Sequence, residues 1–460
     1  MITVDRRPAR RILALAATAA LALGSIAVAA PASGAPPVAD MSRGHGHPAP
    51  PASSTAEGYG GAVSSVDANA SAAGLAVLRR GGNAADAAVA TAAALGVTEP
   101  YSAGIGGGGY FVYFDAATGE VQTIDGRETA PAGMGADAFI DPATGEPYPF
   151  DDAVSSGLSV GVPGTLATWE SALERFGTRS LRHTLKPSIM LAARGFEVDE
   201  EFVAQTTENQ ERFAAFPATA ELFLPGGAPP TVGSTWRNPD LAKTLLEIAK
   251  HGTDAFYEGA IADEISELVQ HPQVAPDATL PAYPGTLTPA DLDEYEVIER
   301  EPTHVQYQGL DVYGMAPSSS GGTTVGESLN ILENFDLGGE ATVESLHLYL
   351  EATAHAFADR NAYVGDPAFV DVPTETLLSQ DFADARACVI DPAAASIKPV
   401  PPAPLDALGC EPAAAPDAAS PEGLSTTHLS VVDRWGNAVA YTLTIEQTGG
   451  SGMTVPGRGF

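Results

Sequence analysis

The chain has 460 residues, 44% hydrophobic and 18% charged, enough apolar material for two or three ordinary domains or one large one. Its 58 acidic residues outnumber 23 basic ones, for a formal net charge of −35. Such a chain repels phosphate backbones and anionic lipid, which excludes nucleic acid and charged membrane surfaces as partners.

The N-terminal stretch MITVDRRPARRILALAATAALALGSIAVAAPASG begins with Arg6, Arg7, Arg10 and Arg11 and continues apolar from Ile12 to Ala30. With the small residues Ala27-Val28-Ala29 it reads as a secretory signal peptide over 1–30, removed near Ala29 or Ala30. A membrane anchor is the competing reading, but no polar stop-transfer flank follows. The paired arginines leave Sec and twin-arginine export both open. Residues 31–58, rich in Pro, Ala, Gly and Ser, read as a disordered leader, and its His45 and His47 form no metal site on their own.

Order is expected from near Gly61. Gly81-Gly82 stops one helix after Arg79-Arg80, and Asn83 caps the next. GIGGGGYFVYFD and EVQTIDGRETAP predict two neighbouring strands with a turn at AATGE. Residues 160–300 alternate helix patterns with turns. The helix in ESLHLYLEATAHAFADRNAYVGDP ends before Pro367. On it His347, Glu351, His355 and Asp359 recur every four residues, a step that drifts around the helix by about 40° each time. Without an HExxH order, hydrogen-bonded packing is the better reading than a metal stripe, and no cofactor is expected. In an exported protein Cys388 and Cys410 are expected to pair across a slack Pro/Ala segment, two buried thiols being the alternative.

After a Pro/Ala-rich linker to residue 424 the chain closes on LSTTHLSVVDRWGNAVAYTLTIEQ and a short tail. The spacing predicts strands Thr427–Val432 and Ala438–Ile445 around DRWGN. A register symmetric about Trp435 sets Thr426 opposite Thr444, and Glu446, two residues on, shares that face. A threonine hydroxyl is a poor nucleophile without a base. An N-terminal threonine uses its own α-amine, whose pKa is about 7.7–8. That requires a cut between Ser425 and Thr426, made by attack of the Thr426 hydroxyl on the Ser425 carbonyl. The plain alternative is an ordinary strand residue behind a linker. Arg127, in DGRETAP, suits a carboxylate through two parallel hydrogen bonds, or else pairs with Asp125 or Glu128. The glycine runs Gly104–Tyr110 and Ser318–Thr324 lack the Gly-Lys-Ser/Thr of a phosphate loop and read as close backbone packing.

The motifs GGNAADAAVA, GIGGGGYF, DGRETAP, VGVPGTLATW, APSSSGGTT, AFADRNAYVGDP and TTHLSVVDRWGNAVAYTLTIEQ occur in one order from about residue 60 to the end. In them the chain resembles the γ-glutamyltranspeptidases, or glutathione hydrolases. The resemblance implies an α+β fold, the four-layer αββα sandwich of N-terminal-nucleophile hydrolases. It implies an inactive precursor that cuts itself into a large subunit, 59–425, and a small one beginning at 426. Thr426 would be both autoprocessing residue and nucleophile, and Thr444 would hydrogen-bond it. Arg127 would hold the α-carboxylate of a γ-glutamyl group, and Glu446 would help bind its α-amine. Substrates would be glutathione and other γ-glutamyl compounds, with water, amino acids or dipeptides as acceptors. Family small subunits run well beyond Phe460 and include a Gly-Gly oxyanion pair, so the small subunit is expected to be truncated here and this chain alone to turn over poorly. A β-lactam side-chain acylase and a non-catalytic secreted binding protein are the alternatives.

Overall fold

The computed structural model describes residues 2–4, 55–339, 341–406, 410 and 425–460. Most of the signal and leader segments, residues 5–54, and the linker from 411 to 424 lie outside the described residues.

Single residues set the first helix boundaries. Asp67 accepts the Ala70 N–H at 2.7 Å and starts the helix Ala68–Arg79. Gly81 takes φ +81 where the chain turns away, a conformation that costs glycine nothing. Asn83 and Asp86 then cap the helix Ala84–Thr98 reciprocally. That helix is Ala-rich and buried almost all round, as an interior helix must be.

The strands among the described residues are, in chain order, β1 (Ile2–Val4), β2 (Gly61–Ser64), β3 (Gly108–Asp115), β4 (Glu120–Gly126), β5 (Phe196–Glu197), β6 (Thr235–Trp236), β7 (Ile298–Arg300), β8 (Thr303–Tyr307), β9 (Leu310–Gly314), β10 (Thr427–Asp433) and β11 (Ala438–Thr444). Six form one antiparallel sheet in the order β2-β10-β11-β3-β4-β7. The C-terminal hairpin therefore sits in mid-sheet, between strands from early in the chain. The helices Ala84–Thr98 and Thr165–Phe176 cover one face of it. The core there includes Phe111, Ile124, Leu166, Trp169 and Tyr441, each at most 2% exposed. Each such side chain contributes about 1.5–3 kcal/mol by burial.

A second sheet, β1-β9-β8, is covered by the helix Gly321–Leu332, on which the helix Val343–Tyr363 packs. Met315, just past β9, meets Val112 of β3 and Ala440 of β11, so the two sheets touch. β1 comes from the basic start assigned to a signal peptide. It pairs with β9 at what would otherwise be an open edge, where unpaired N–H and C=O groups accept any extended β-branched segment.

The four-residue stripe on Val343–Tyr363 is used in packing. His347 Nε2 lies 2.9 Å from the Asp391 carbonyl, Glu351 pairs with Lys398 at 2.8 Å, and Asp359 with Arg386 at 2.8 Å. Cys388 and Cys410 are joined by a disulfide, with Cα atoms 5.3 Å apart.

Candidate active site

The hairpin turn fixes everything around it. The Asp433 carboxylate, buried in the turn, accepts the N–H groups of Trp435 at 2.9 Å and Asn437 at 3.1 Å, and the Asn437 amide at 2.9 Å. It also accepts the Ala84 N–H at 3.0 Å, at the start of the interior helix, where a negative charge suits the helix dipole. With the turn locked, β10 and β11 pair in the register symmetric about Trp435, from Val432 opposite Ala438 to Thr427 opposite Leu443.

That register leaves Thr426 and Thr444 at the open end, hydroxyls 3.2 Å apart. Thr444 is buried and donates to the Ser425 carbonyl oxygen at 2.8 Å. Its own oxygen accepts the Glu446 N–H at 2.8 Å. The Thr426 hydroxyl folds back over the preceding peptide bond, 2.6 Å from the same carbonyl oxygen. Ser425 is held from behind, its hydroxyl donating to the Tyr101 carbonyl at 3.0 Å. The Ser425–Thr426 peptide bond thus lies under two hydroxyls, one able to attack and one able to polarise.

β11 ends at Thr444, one residue short of the expected Ile445. Glu446 takes φ +71, so it leaves the sheet by a left-handed turn rather than by strand alternation. Its carboxylate nonetheless reaches Arg127 Nη2 at 2.7 Å. Arg127 follows β4 directly, and its N–H is held by Asp125 at 3.1 Å. Its Nε lies 3.0 Å from Glu128, and its guanidinium stands 5.9 Å from the Tyr110 ring centre. Asp125 pairs instead with Arg300 at 2.6 Å. Burial pushes the Glu128 carboxyl up, opposed by the adjacent Arg127.

The glycine run explains how β3 comes so close. A Cβ on Gly107 or Gly109 would stand 2.1 Å from the Thr444 or Thr442 carbonyl oxygen, and one on Gly108 would stand 2.4 Å from that of Gly126. Glycine lets β3 press against β11 and brings Arg127 to the end of the hairpin.

The family model for gamma-glutamyltranspeptidase matches residues 70–460. The chain belongs to the gamma-glutamyltranspeptidase family. It is 40% identical over 390 residues to a glutathione hydrolase proenzyme of Bacillus subtilis strain 168, with 81% of this chain and 62% of that protein covered. The chain thus spans 62% of the length of that curated relative. Among solved structures it is similar to Helicobacter pylori gamma-glutamyltranspeptidase, with TM-score 0.68, 34% identity, and 75% of this chain and 95% of that one covered. It is also similar to a cephalosporin acylase from Bacillus halodurans, with TM-score 0.74, 29% identity, and coverage of 91% and 72%. These neighbours share the mixed helix-and-sheet fold of N-terminal-nucleophile hydrolases.

Thr426, Thr444, Arg127 and Glu446 gather at one end of the central hairpin, while Cys388 ends the helix Gln380–Ala387, which packs on the helix Gly321–Leu332. A cavity of about 410 Å³ opens beside Arg127, Glu128 and Glu446, with Met134, Phe139 and Phe460 among its apolar walls. The two threonines are not part of its lining. Among the described residues no group of His, Cys, Asp and Glu has the geometry to hold a metal.

Sequence reasoning missed a hydroxyl relay behind Arg127. Ser318 donates to Asp125 at 3.2 Å and lies 3.0 Å from the Tyr110 hydroxyl. Burial raises Tyr110 to about 12, so its proton stays on. Both residues lie in motifs quoted above, but no local pattern joins positions 110 and 318.

Proposed function

We propose that the chain is an exported, self-processing precursor of a γ-glutamyltransferase and glutathione hydrolase. The observation that carries this reading is the pair of threonine hydroxyls on the Ser425 carbonyl oxygen, at 2.6 Å from Thr426 and 2.8 Å from Thr444. Thr426 Oγ1 attacks the Ser425 carbonyl carbon while Thr444 steadies the developing oxyanion. The C–N bond breaks as the hydroxyl proton passes to the departing nitrogen, and an ester remains. Water hydrolyses the ester, freeing Thr426 as an N-terminal residue with its own α-amine as base. The products are a fragment that ends at Ser425 and holds the large subunit, 59–425, and a small subunit starting at 426.

The same oxygen then attacks the γ-carbonyl of a γ-glutamyl amide such as glutathione. The amine leaves, a γ-glutamyl ester forms on Thr426, and water or an amino-acid or dipeptide amine resolves it. Arg127 takes the substrate α-carboxylate by paired hydrogen bonds, and Glu446 takes the α-ammonium. Their 2.7 Å ion pair supports this assignment, because a zwitterionic head group can insert between two opposite charges that already face each other. The same pair favours an amino-acid head group over an acylase side chain. The basic and apolar N-terminal segment supports export. The two touching sheets, each with a helical cover, support the four-layer αββα sandwich. Mixing the cleaved protein with a γ-glutamyl donor should add one γ-glutamyl group to the Thr426 fragment by mass. An acyl group on a residue other than Thr426 would overturn the reading.

A further inference from the structure

The helix Gly321–Leu332 carries a glutamate that neither cleavage nor acyl transfer uses. Glu327 is fully buried, and neither of its carboxyl oxygens has a donor among the described residues. Its carboxyl group faces that of Asp359, on the helix Val343–Tyr363, which is fully buried too. From the helix Gln380–Ala387 comes one cation, Arg386, whose Nε lies 2.8 Å from Asp359 Oδ2. One guanidinium cannot neutralise two buried carboxylates, and two acceptors in contact need a proton between them. Asp359 is the ionised member, because Arg386 and the Ala403 N–H, 2.6 Å from Oδ1, both favour its charge. Glu327 is the protonated member, pushed far above the usual carboxylate range by burial and by Asp359.

The pair has something to hold. Asp359 takes the Ala403 N–H, and Arg386 Nη2 reaches the Pro401 carbonyl at 3.1 Å. Tyr363 donates to the Ala403 carbonyl at 2.7 Å, and Lys398 pairs with Glu351 at 2.8 Å. Cys388, beside Arg386 in sequence, is bonded to Cys410 further along the same segment. The other charged or titratable groups around the cluster are His355, Glu351, Lys398 and Tyr363. Burial and Arg386 push His355 down to about 4, so it is neutral at physiological pH.

We propose that Glu327, Asp359 and Arg386 form a proton-dependent latch on the segment Lys398–Ala403, closed while Glu327 keeps its proton. The latch stands whether or not the chain cuts itself. Once open and wet, Glu327 titrates as an ordinary glutamate, at about 4.3. Between that value and the closed-state value the closed form binds one proton more. Opening therefore becomes about tenfold easier per pH unit across that window.

Hydrogen exchange of the intact chain between pH 5 and 8, normalised to an unstructured peptide of the same sequence, reads this at the Ala403 amide. Protection in the wild type should fall as pH rises, by up to about tenfold per pH unit, while β10 and β11 amides stay protected, which separates local opening from loss of the fold. Glu327→Gln keeps a donor toward Asp359 and removes the titration, so its Ala403 protection should be high and independent of pH. A wild-type protection that does not change with pH overturns the latch, and that measurement needs no variant to fold. A Glu327→Gln chain that keeps the wild-type slope overturns it equally.

Discussion

Thr444 gives its hydroxyl to the Ser425 carbonyl oxygen at 2.8 Å, from the strand opposite the bond that the proposed cleavage breaks. Thr444→Val keeps the shape and removes the donor. Self-cleavage should slow about 10²–10³-fold, the usual cost of one oxyanion donor. Thr444→Ser should cleave at close to the wild-type rate. A time course of fragment appearance by intact mass checks both.

Ser425 is a weaker version of the same test. Its hydroxyl anchors the bond to the Tyr101 carbonyl at 3.0 Å. Ser425→Ala removes one hydrogen bond, worth about 1 kcal/mol, so cleavage should slow about fivefold rather than stop.

Arg127 and Glu446 make a prediction about binding. In cleaved protein, Arg127→Gln should weaken L-glutamate binding by about 10–100-fold, the cost of a charge-assisted pair at about 1.5–3 kcal/mol. Glu446→Gln should weaken it too, and should leave the binding of glutarate, which has no amine, nearly unchanged. Isothermal calorimetry with the two ligands separates the roles.

The hairpin was legible because its turn residues and its alternation are local, and register follows from them. Arg127 stood out as an arginine after an apolar strand in an acidic chain, but the residues alone left an ion pair with Glu128 open, which is present at 3.0 Å, and its carboxylate-binding role came from the family resemblance. The strand end was misplaced by one residue because Glu446 adopts a positive φ, which no pattern of residue types announces. The sequence suggested packing for the stripe on Val343–Tyr363 but did not name its partners. Lys398 and Arg386 lie on other elements, and only the tertiary fold brings them to Glu351 and Asp359. The Tyr110–Ser318–Asp125 relay was hidden for the same reason.

Glu99 gives a pH prediction. It follows the helix Ala84–Thr98, where burial and then the nearby charges of Asp67, Asp199 and Glu201 push its carboxyl up to about 7. A carboxyl raised in the folded state binds an extra proton between its unfolded value and about 7. The chain therefore loses stability as pH rises through that window. Glu99→Gln should leave stability near pH 5 almost unchanged and raise it at pH 8 by about 1–2 kcal/mol, solvent screening holding it below the full linkage value. Thermal melts at the two pH values check the sign.

The disulfide gives a stability prediction. Cys388 and Cys410 enclose a loop with a sequence separation of 22. Replacing both by serine should cost about 3 kcal/mol on the loop-entropy account. Denaturant midpoints of the oxidised protein and the double variant read this directly.

The most direct test of the central claim is the intact mass of the purified protein beside a Thr426→Ala control. The account predicts two fragments that meet between Ser425 and Thr426, and a single uncut chain in the control. An uncut wild-type chain, or a control cut at the same bond, would contradict it.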